Sequence, residues 1–427
     1  MLPSSNRQPC SSLRAYLVGG AVRNQLLGLP AKDKDWVVVG STPEEMLALG
    51  FIPVGRGFPV FLHPITHEEY ALARLEKKIG QGYRGFECIS DPSVTLEEDL
   101  YRRDLTINAM AVGQDGVLVD PYGGLVDLKN RTLRHVSSAF LEDPLRVLRV
   151  ARFAAQLNAF HFTVHPETLI LMRQCVMTGE IKALSSERVW IEFDKALKSE
   201  SLSLFIQILR ESQALVELFP EIDQTLSLRE KTPEGKEWLT RFWRVMNSIK
   251  SEAGSIISFA VLFGVMERYD DSLVRGIGLR LRAPKEYIRL ASLVGRYGLS
   301  VQRIQSQTPE QILDFIMHVD ALRKTDIFLL FLEACAIQAE IEQYCQSPVS
   351  PSFVADADSF ESARIFLIQL IPALKALKVQ SDGLSPVEIA HNVRQSRLDL
   401  ICHFQKSACL QKTIGLKKPT QRPKKEK

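Results

Sequence analysis

The run from Tyr16 to Val39 constrains this chain more than any other stretch. An apolar, strand-forming segment (Tyr16-Leu-Val18) meets a glycine pair, Gly19-Gly20. A short helix-forming stretch follows, and Asp33-Lys-Asp35-Trp-Val-Val-Val39 then opens a second strand with two carboxylates. Glycines between a strand and a helix leave backbone N–H groups that a triphosphate can approach closely. Side chains alternate along an extended segment, so Asp33 and Asp35 share one face. Two carboxylates on one rigid strand end suit a pair of Mg²⁺ ions about 3.5–4 Å apart, the arrangement used in phosphoryl and nucleotidyl transfer. Each half alone is weak, since Gly-Gly makes turns and D-x-D makes solvated loops. Order and spacing make the pair informative.

With 427 residues the chain exceeds one ordinary core, so two or more domains are expected. A hydrophobic share of 45% and a charged share of 24% fit a globular protein. No apolar run is long enough to span a bilayer, and the polar N-terminus lacks a signal-peptide core; a cytoplasmic location is expected. Seven cysteines are scattered with no C-x-x-C, which argues for reduced thiols without a disulfide frame or zinc site. A net charge of +3 neither requires nor excludes nucleic acid. The basic residues that end the chain (Lys417 to Lys427) read as a disordered arm suited to phosphate.

Residues up to about 136 mix strand and helix patterns. Ser41-Thr-Pro-Glu44 and Thr95-Leu-Glu-Glu98 have capping-box spacing and predict helices after them. Phe58 to Leu62 and Glu69 to Arg74 read as strands, Lys77 to Pro92 as a mobile glycine-punctuated loop, Asp120 to Gly124 as a turn, and Leu133 to Val136 as a last strand. Asp143-Pro144 is a helix start, and amphipathic helical segments then follow almost without interruption to about residue 407. The expected fold is α+β. A flexible N-terminus (1–13) precedes an α/β head (14–136). A helical neck (137–223), a helical body and tail (224–410) and a basic disordered end (411–427) follow, with linkers near 136–142 and 224–236.

Two arginine clusters carry further chemistry. Arg102-Arg103-Asp104-Leu-Thr-Ile-Asn108 reads either as an exposed basic turn capped by Asp104 or as a clamp in which adjacent guanidiniums grip triphosphate oxygens. In Glu142-Asp143-Pro-Leu-Arg146-Val-Leu-Arg149-Val-Ala-Arg152, Asp143 and Arg146 form at the least an i,i+3 ion pair. They also suit the Watson–Crick edge of cytosine or adenine, the Asp accepting from an exocyclic amine and the Arg donating to a ring nitrogen or carbonyl. Arg149 and Arg152 then face phosphates. Glu69, at the start of the next strand, is a candidate third carboxylate, with Glu68 its competitor.

Taken in order, Leu17-Val-Gly-Gly-Ala-Val-Arg23, Asp33-Lys-Asp35-Trp, Gly55-Arg-Gly-Phe58, the Arg102–Asn108 motif and the Glu142–Arg152 motif resemble bacterial class II CCA-adding tRNA nucleotidyltransferases of the polymerase-β superfamily. The likeness is close from about Tyr16 to Glu221. It implies nucleotide contacts from Gly20, Arg23, Arg103, Arg149 and Arg152, and Mg²⁺ ligation by Asp33 and Asp35. Asp143 and Arg146 would act as the protein template that selects CTP or ATP for addition to the tRNA 3′ end. Related poly(A) polymerases and CC-only or A-only enzymes share this head, and a non-catalytic RNA-binding protein is the alternative from another class.

Many of these enzymes also carry a phosphohydrolase domain with a metal-binding His-Asp pair. In the matching helix, Ser258-Phe-Ala-Val-Leu-Phe-Gly264-Val265, glycine and valine stand in its place. Hydrolase activity is therefore not expected. His63 and His67 are four apart, but Pro64 spoils helical ligand geometry, and they read as exposed loop histidines.

Overall fold

The computed structural model describes residues 13–31, 33–54, 60–78, 86–250, 253–265, 270–343, 357–378 and 384–415, and it divides into two compact units, Met1–Leu226 and Ser227–Lys427. The first unit opens with β1 (Arg14–Val18), α1 (Gly20–Leu26), β2 (Asp35–Val39), α2 (Pro43–Ala48), β3 (Ile52–Val54), β4 (Val60–Leu62) and β5 (Glu69–Leu72). Next come β6 (Leu75–Lys78), β7 (Phe86–Ile89), α3 (Leu96–Tyr101), β8 (Ala111–Gly113), β9 (Leu118–Val119), α4 (Gly124–Lys129) and β10 (Thr132–Leu133). Among the described residues seven strands form one mixed sheet, in the order β3-β4-β5-β2-β1-β8-β9. β1 runs antiparallel to β2 with Val18 opposite Asp35, and β2 runs parallel to β5 with Asp35 opposite Glu69.

Alternation along β2 explains how the sheet is covered. Val37 and Val39 pack with Val18, Leu96, Leu100 and Ala109 on one face. Val38 packs with Ala15, Met46, Phe51, Tyr70 and Leu72 on the other. A central strand buried on both faces reads as an unbroken apolar run, as Trp36–Val39 does. Asp35 falls in step with Val37, at the strand end where that core stops.

Local chemistry sets the helix starts. The Thr95–Glu98 box forms as expected, with Glu98 N–H donating to Thr95 Oγ1 at 3.2 Å. The earlier box is shifted by one residue: Thr42 caps the helix and pairs reciprocally with Glu45. Pro43 fixes this, because a proline is tolerated at the first helical position and so makes Thr42 the cap. The expected Lys77–Pro92 loop is in part an antiparallel hairpin of β6 and β7, and its tip, 79–85, lies outside the described residues. Its strands are short and charged and carry no clear alternation. β8 and β9 were not foreseen either, having only three and two residues around an Asp115-Gly116 turn.

The rest of the first unit is helical: α5 (Leu145–Gln156), a short β11 (Thr163–Val164) parallel to β10, α6 (Pro166–Met177), α7 (Ser186–Leu197), α8 (Leu202–Glu211), α9 (Leu215–Leu218) and α10 (Pro220–Arg229). α5 is buried nearly all round and packs on α7 and α8; Arg146 and Arg152 are buried with its apolar residues instead of forming a solvated stripe.

The second unit holds α11 (Pro233–Asn247), α12 (Gly254–Gly264), α13 (Asp271–Arg280), α14 (Lys285–Tyr297), α15 (Pro309–His318), α16 (Thr325–Gln343), α17 (Ala357–Ala376) and α18 (Pro386–Gly415). The stretch expected as a linker, 224–236, is mostly helix, taken up by α10 and the start of α11. α12 is buried along its whole length and packs on α14. At Gly264 an added Cβ would lie 2.9 Å from Val294 Cγ1 and 3.3 Å from Gly295 N, so the contact between the two helices requires glycine here. No described helix is long and apolar enough to cross a membrane.

Candidate active site

A cleft of about 860 Å³ in the first unit is lined from the β1–α1 turn, the start of β2, the end of α3, α5 and α7. Eight arginines and a lysine face four aspartates there. The fold brings Gly20, Arg23, Asp33, Asp35, Arg103, Asp143, Arg146, Arg149 and Arg152 together in this cleft, and Glu69 is the predicted site residue that does not line it. The register puts Glu69 on Asp35's face, one strand away. Its competitor Glu68 is engaged elsewhere, in an ion pair with Lys34 (3.2 Å) and as acceptor from Trp36 Nε1 (2.9 Å).

Asp33, in the bend before β2, and Asp35, its first residue, both turn into the cleft. The Asp35 carboxyl is raised above the usual range by partial burial, and Asp33 adds to this while Arg103 opposes it. Two neighbouring carboxylates facing one cleft form an oxygen donor set suited to a hard divalent cation. Among the described residues no group of three or more His, Cys, Asp or Glu side chains is placed to hold a metal.

The glycine turn serves as expected in one respect and differs in another. Gly19 has φ +70°, in the left-handed region, and an added Cβ there would come within 3.1 Å of Arg103 Nη1. Only glycine fills both conditions without strain. Its N–H, however, donates to Met110 O at 3.3 Å and is not turned to a ligand.

Arg23 Nη1 donates to Asn108 Oδ1 at 2.7 Å, and burial, with Arg152 nearby, pulls its guanidinium down to about 10. Asn108 Nδ2 donates in turn to Asp104 Oδ1 (3.1 Å), and Asp104 Oδ2 accepts from Arg149 Nε (2.7 Å). Asp104 is therefore a buried junction between the Arg102–Asn108 motif and α5, not an exposed cap. Burial raises its carboxyl, but Arg149, Asn108 and Arg146 outweigh burial and hold it well below the usual carboxylate range. Arg149 is raised, first by Asp104. Arg152 is lowered by burial, with Glu192 of α7 opposing.

Phe153 stands where these cations meet. The guanidinium carbons of Arg23, Arg149 and Arg152 lie 5.0, 5.6 and 3.9 Å from its ring centroid. An aromatic face among three crowded guanidiniums offsets part of their mutual repulsion. Glu192, itself buried, hydrogen-bonds Arg152 Nε and lies 3.8 Å from Arg149 Nη1.

Asp143 and Arg146 are each held by partners outside their own motif. Asp143 Oδ2 pairs with Arg188 of α7 at 2.8 Å, and its Oδ1 accepts from Leu145 N–H at 3.1 Å, which caps α5. Arg146 donates to the backbone carbonyls of Ala139 and Arg102, the latter at 2.6 Å. Sequence reasoning missed Asn108, Glu192, Arg188 and Lys195 as site residues. Asn108 was visible inside its motif, whereas Arg188 and Glu192 of α7 stand 45 and 40 positions from their partners with no local signal.

Residues 15–134 match the poly A polymerase head domain, and residues 161–226 match the probable RNA and SrmB-binding site of polymerase A. A CCA-adding enzyme of Coxiella burnetii is 49% identical over 326 residues, covering 76% of this chain and 82% of that one. A multifunctional CCA protein of Acinetobacter baumannii is 41% identical over 412 residues, covering 92% and 98%. The fold is shared with a Bacillus stearothermophilus CCA-adding enzyme in complex with CTP (TM-score 0.63, 20% identity, 96% of each chain). It is shared also with a Thermotoga maritima CCA-adding enzyme complexed with tRNA (TM-score 0.60, 21% identity, 95% of this chain and 93% of that one). The chain belongs to the bacterial class II CCA-adding tRNA nucleotidyltransferases.

Proposed function

We propose that this cleft adds C, C and A to the 3′ end of tRNA in the cytoplasm, taking CTP and ATP in turn and choosing them with protein side chains in place of a nucleic-acid template. The observation that carries the reading is the convergence of Asp33 and Asp35, the arginine cluster and the Asp143–Arg146 segment on one cleft. The tRNA 3′ oxygen bonds to the α-phosphorus, the bond from that phosphorus to the β-phosphate oxygen breaks, and pyrophosphate leaves. Enzymes of this family use a divalent metal; Asp33 and Asp35 are the residues to hold it, as Mg²⁺, and when bound it supplies charge neutralisation at the reacting phosphate and acidifies the attacking hydroxyl. Glu69 stands one strand from Asp35 as a supporting carboxylate.

The rest is positioning and charge. Arg23, Arg103, Arg149 and Arg152 meet the triphosphate, and Gly19 and Gly20 leave room for it. Asp143 accepts from the exocyclic amine that cytosine and adenine share, and Arg146 donates to the ring edge. Both side chains are anchored by other protein groups here, Asp143 by Arg188 and Arg146 by the Ala139 and Arg102 carbonyls, and each has hydrogen-bonding capacity left for a base edge. The metal assignment is tested with Asp35→Ala, which is expected to lose nearly all turnover while keeping its circular dichroism and melting profile; full activity would remove it.

The helical second unit carries no hydrolase chemistry in this reading. Gly264 is held against Val294, where a histidine side chain would have to displace α14. Ni²⁺-stimulated phosphodiesterase activity in the purified protein would contradict this.

A further inference from the structure

Asp99, in the last turn of α3, is fully buried, and it does not line the cleft. A carboxylate without exposure is costly unless charge and hydrogen bonds compensate it. Its Oδ1 accepts from Arg102 Nη2 at 2.7 Å and from the Arg74 backbone N–H at 3.3 Å, and its Oδ2 accepts from Arg103 Nη2 at 3.1 Å. Arg74, Arg102 and Arg103 do line the cleft, so one buried anion stands behind three cleft-facing residues. Each carboxylate oxygen takes one guanidinium, which fixes the angle between the two arginines as well as their positions.

The Arg103 side chain shows what this orientation achieves. One terminal nitrogen is tied to Asp99, while Nη1 rests against the glycine turn, 3.1 Å from where a Gly19 Cβ would stand. Arg103 lines the same cleft as Asp33 and Asp35. Its Nε is buried without a hydrogen-bond partner. The bond to Asp99 therefore sets the angle at which this guanidinium meets the cleft.

We propose that Asp99 is a positioning residue for nucleotide binding: it orients Arg102 and Arg103 as a rigid pair for the triphosphate, alike for CTP and ATP, without touching either. This rests on the reading above, in which Arg103 meets the nucleotide. Asp143 and Arg146 would then govern which base is accepted, and Asp99 how well any triphosphate is held.

Steady-state kinetics on full-length Asp99→Asn, Arg103→Ala and the double variant test this, with CTP and ATP varied separately on tRNAs ending before and after CC. Losing one charge-assisted hydrogen bond to each arginine is expected to raise the KM for both nucleotides on the order of tenfold. The ratio of CTP to ATP and the KM for tRNA should hold within twofold. In the Arg103→Ala background, Asp99→Asn should add less than a threefold further rise, because its main route of action is already gone. KM values within twofold of wild type, a rise for one nucleotide alone, an equal rise for tRNA, or additive effects in the double variant would each overturn the proposal. If Asp99→Asn does not fold, Asp99→Glu keeps the charge but moves it by one methylene. A common rise of about threefold is then expected, and unchanged KM values would be contrary. Wild-type KM values in Arg103→Ala would instead sink the arginine assignment itself.

Discussion

Replacing Glu192 by glutamine separates the stability of the cleft from its function. Glu192 and Arg152 are 4% and 6% exposed at their side chains and hydrogen-bonded to one another. Removing one partner of a buried ion pair costs about 3–5 kcal/mol. Glutamine retains an acceptor for Arg152, which also keeps Gln156 Oε1 at 2.6 Å and the Phe153 face, so the lower end, about 3 kcal/mol, is expected. For a unit of some 200 residues each kcal/mol is about 2–4 °C, giving a fall of roughly 6–12 °C in the Tm of the first unit by scanning calorimetry. The same change removes a negative charge beside the proposed triphosphate site, so CTP should bind more tightly. Saturation at a hundred times Kd contributes about 2.7 kcal/mol, and this term grows as Kd falls. At a fixed CTP concentration the ligand-induced rise in Tm should therefore be larger in Glu192→Gln than in wild type. A Tm within 2 °C of wild type, or a smaller CTP shift, would refute the reasoning.

Two further outcomes follow from the packing. The Asp104 carboxyl is held below its unfolded value by Arg149, Asn108 and Arg146 in spite of burial, so its contribution to stability is present above the unfolded pKa, about 4, and fades as pH falls from there toward the folded value. Denaturant midpoints between pH 6 and 3 should accordingly fall less steeply in Asp104→Asn than in wild type; parallel slopes would count against it. Gly264→Ala drives a methyl into Val294 and should destabilise the second unit by about 1–3 kcal/mol, read from its melting transition, with the first unit's transition unmoved.

The chemistry was more legible in the sequence than its support. Asp33, Asp35, Gly20 and the arginines stand in short runs whose spacing carries meaning by itself, and the fold delivers them to one cleft. Their partners come from far along the chain: Arg149 from Asp104 is 45 positions away, Arg152 from Glu192 is 40, and Asp143 from Arg188 is 45. No periodicity records such pairs. Nothing in the sequence marks Asp99, whose burial follows from α3 lying over the Val37–Val39 face of the sheet. The helices were legible because their apolar faces repeat over several turns. The two- and three-residue strands β3, β8 and β9 were not, since they hold their places through neighbours in the sheet instead of through their own pattern.

The central claim is addition of three nucleotides in a set order by one cleft. Purified protein is given a tRNA that ends before CCA, with CTP and ATP supplied separately and together, and products are sized and sequenced. Two added C residues with CTP alone, and a single product ending in CCA that grows no further with both, are predicted. A ladder of A residues, or arrest after CC with ATP present, would contradict it.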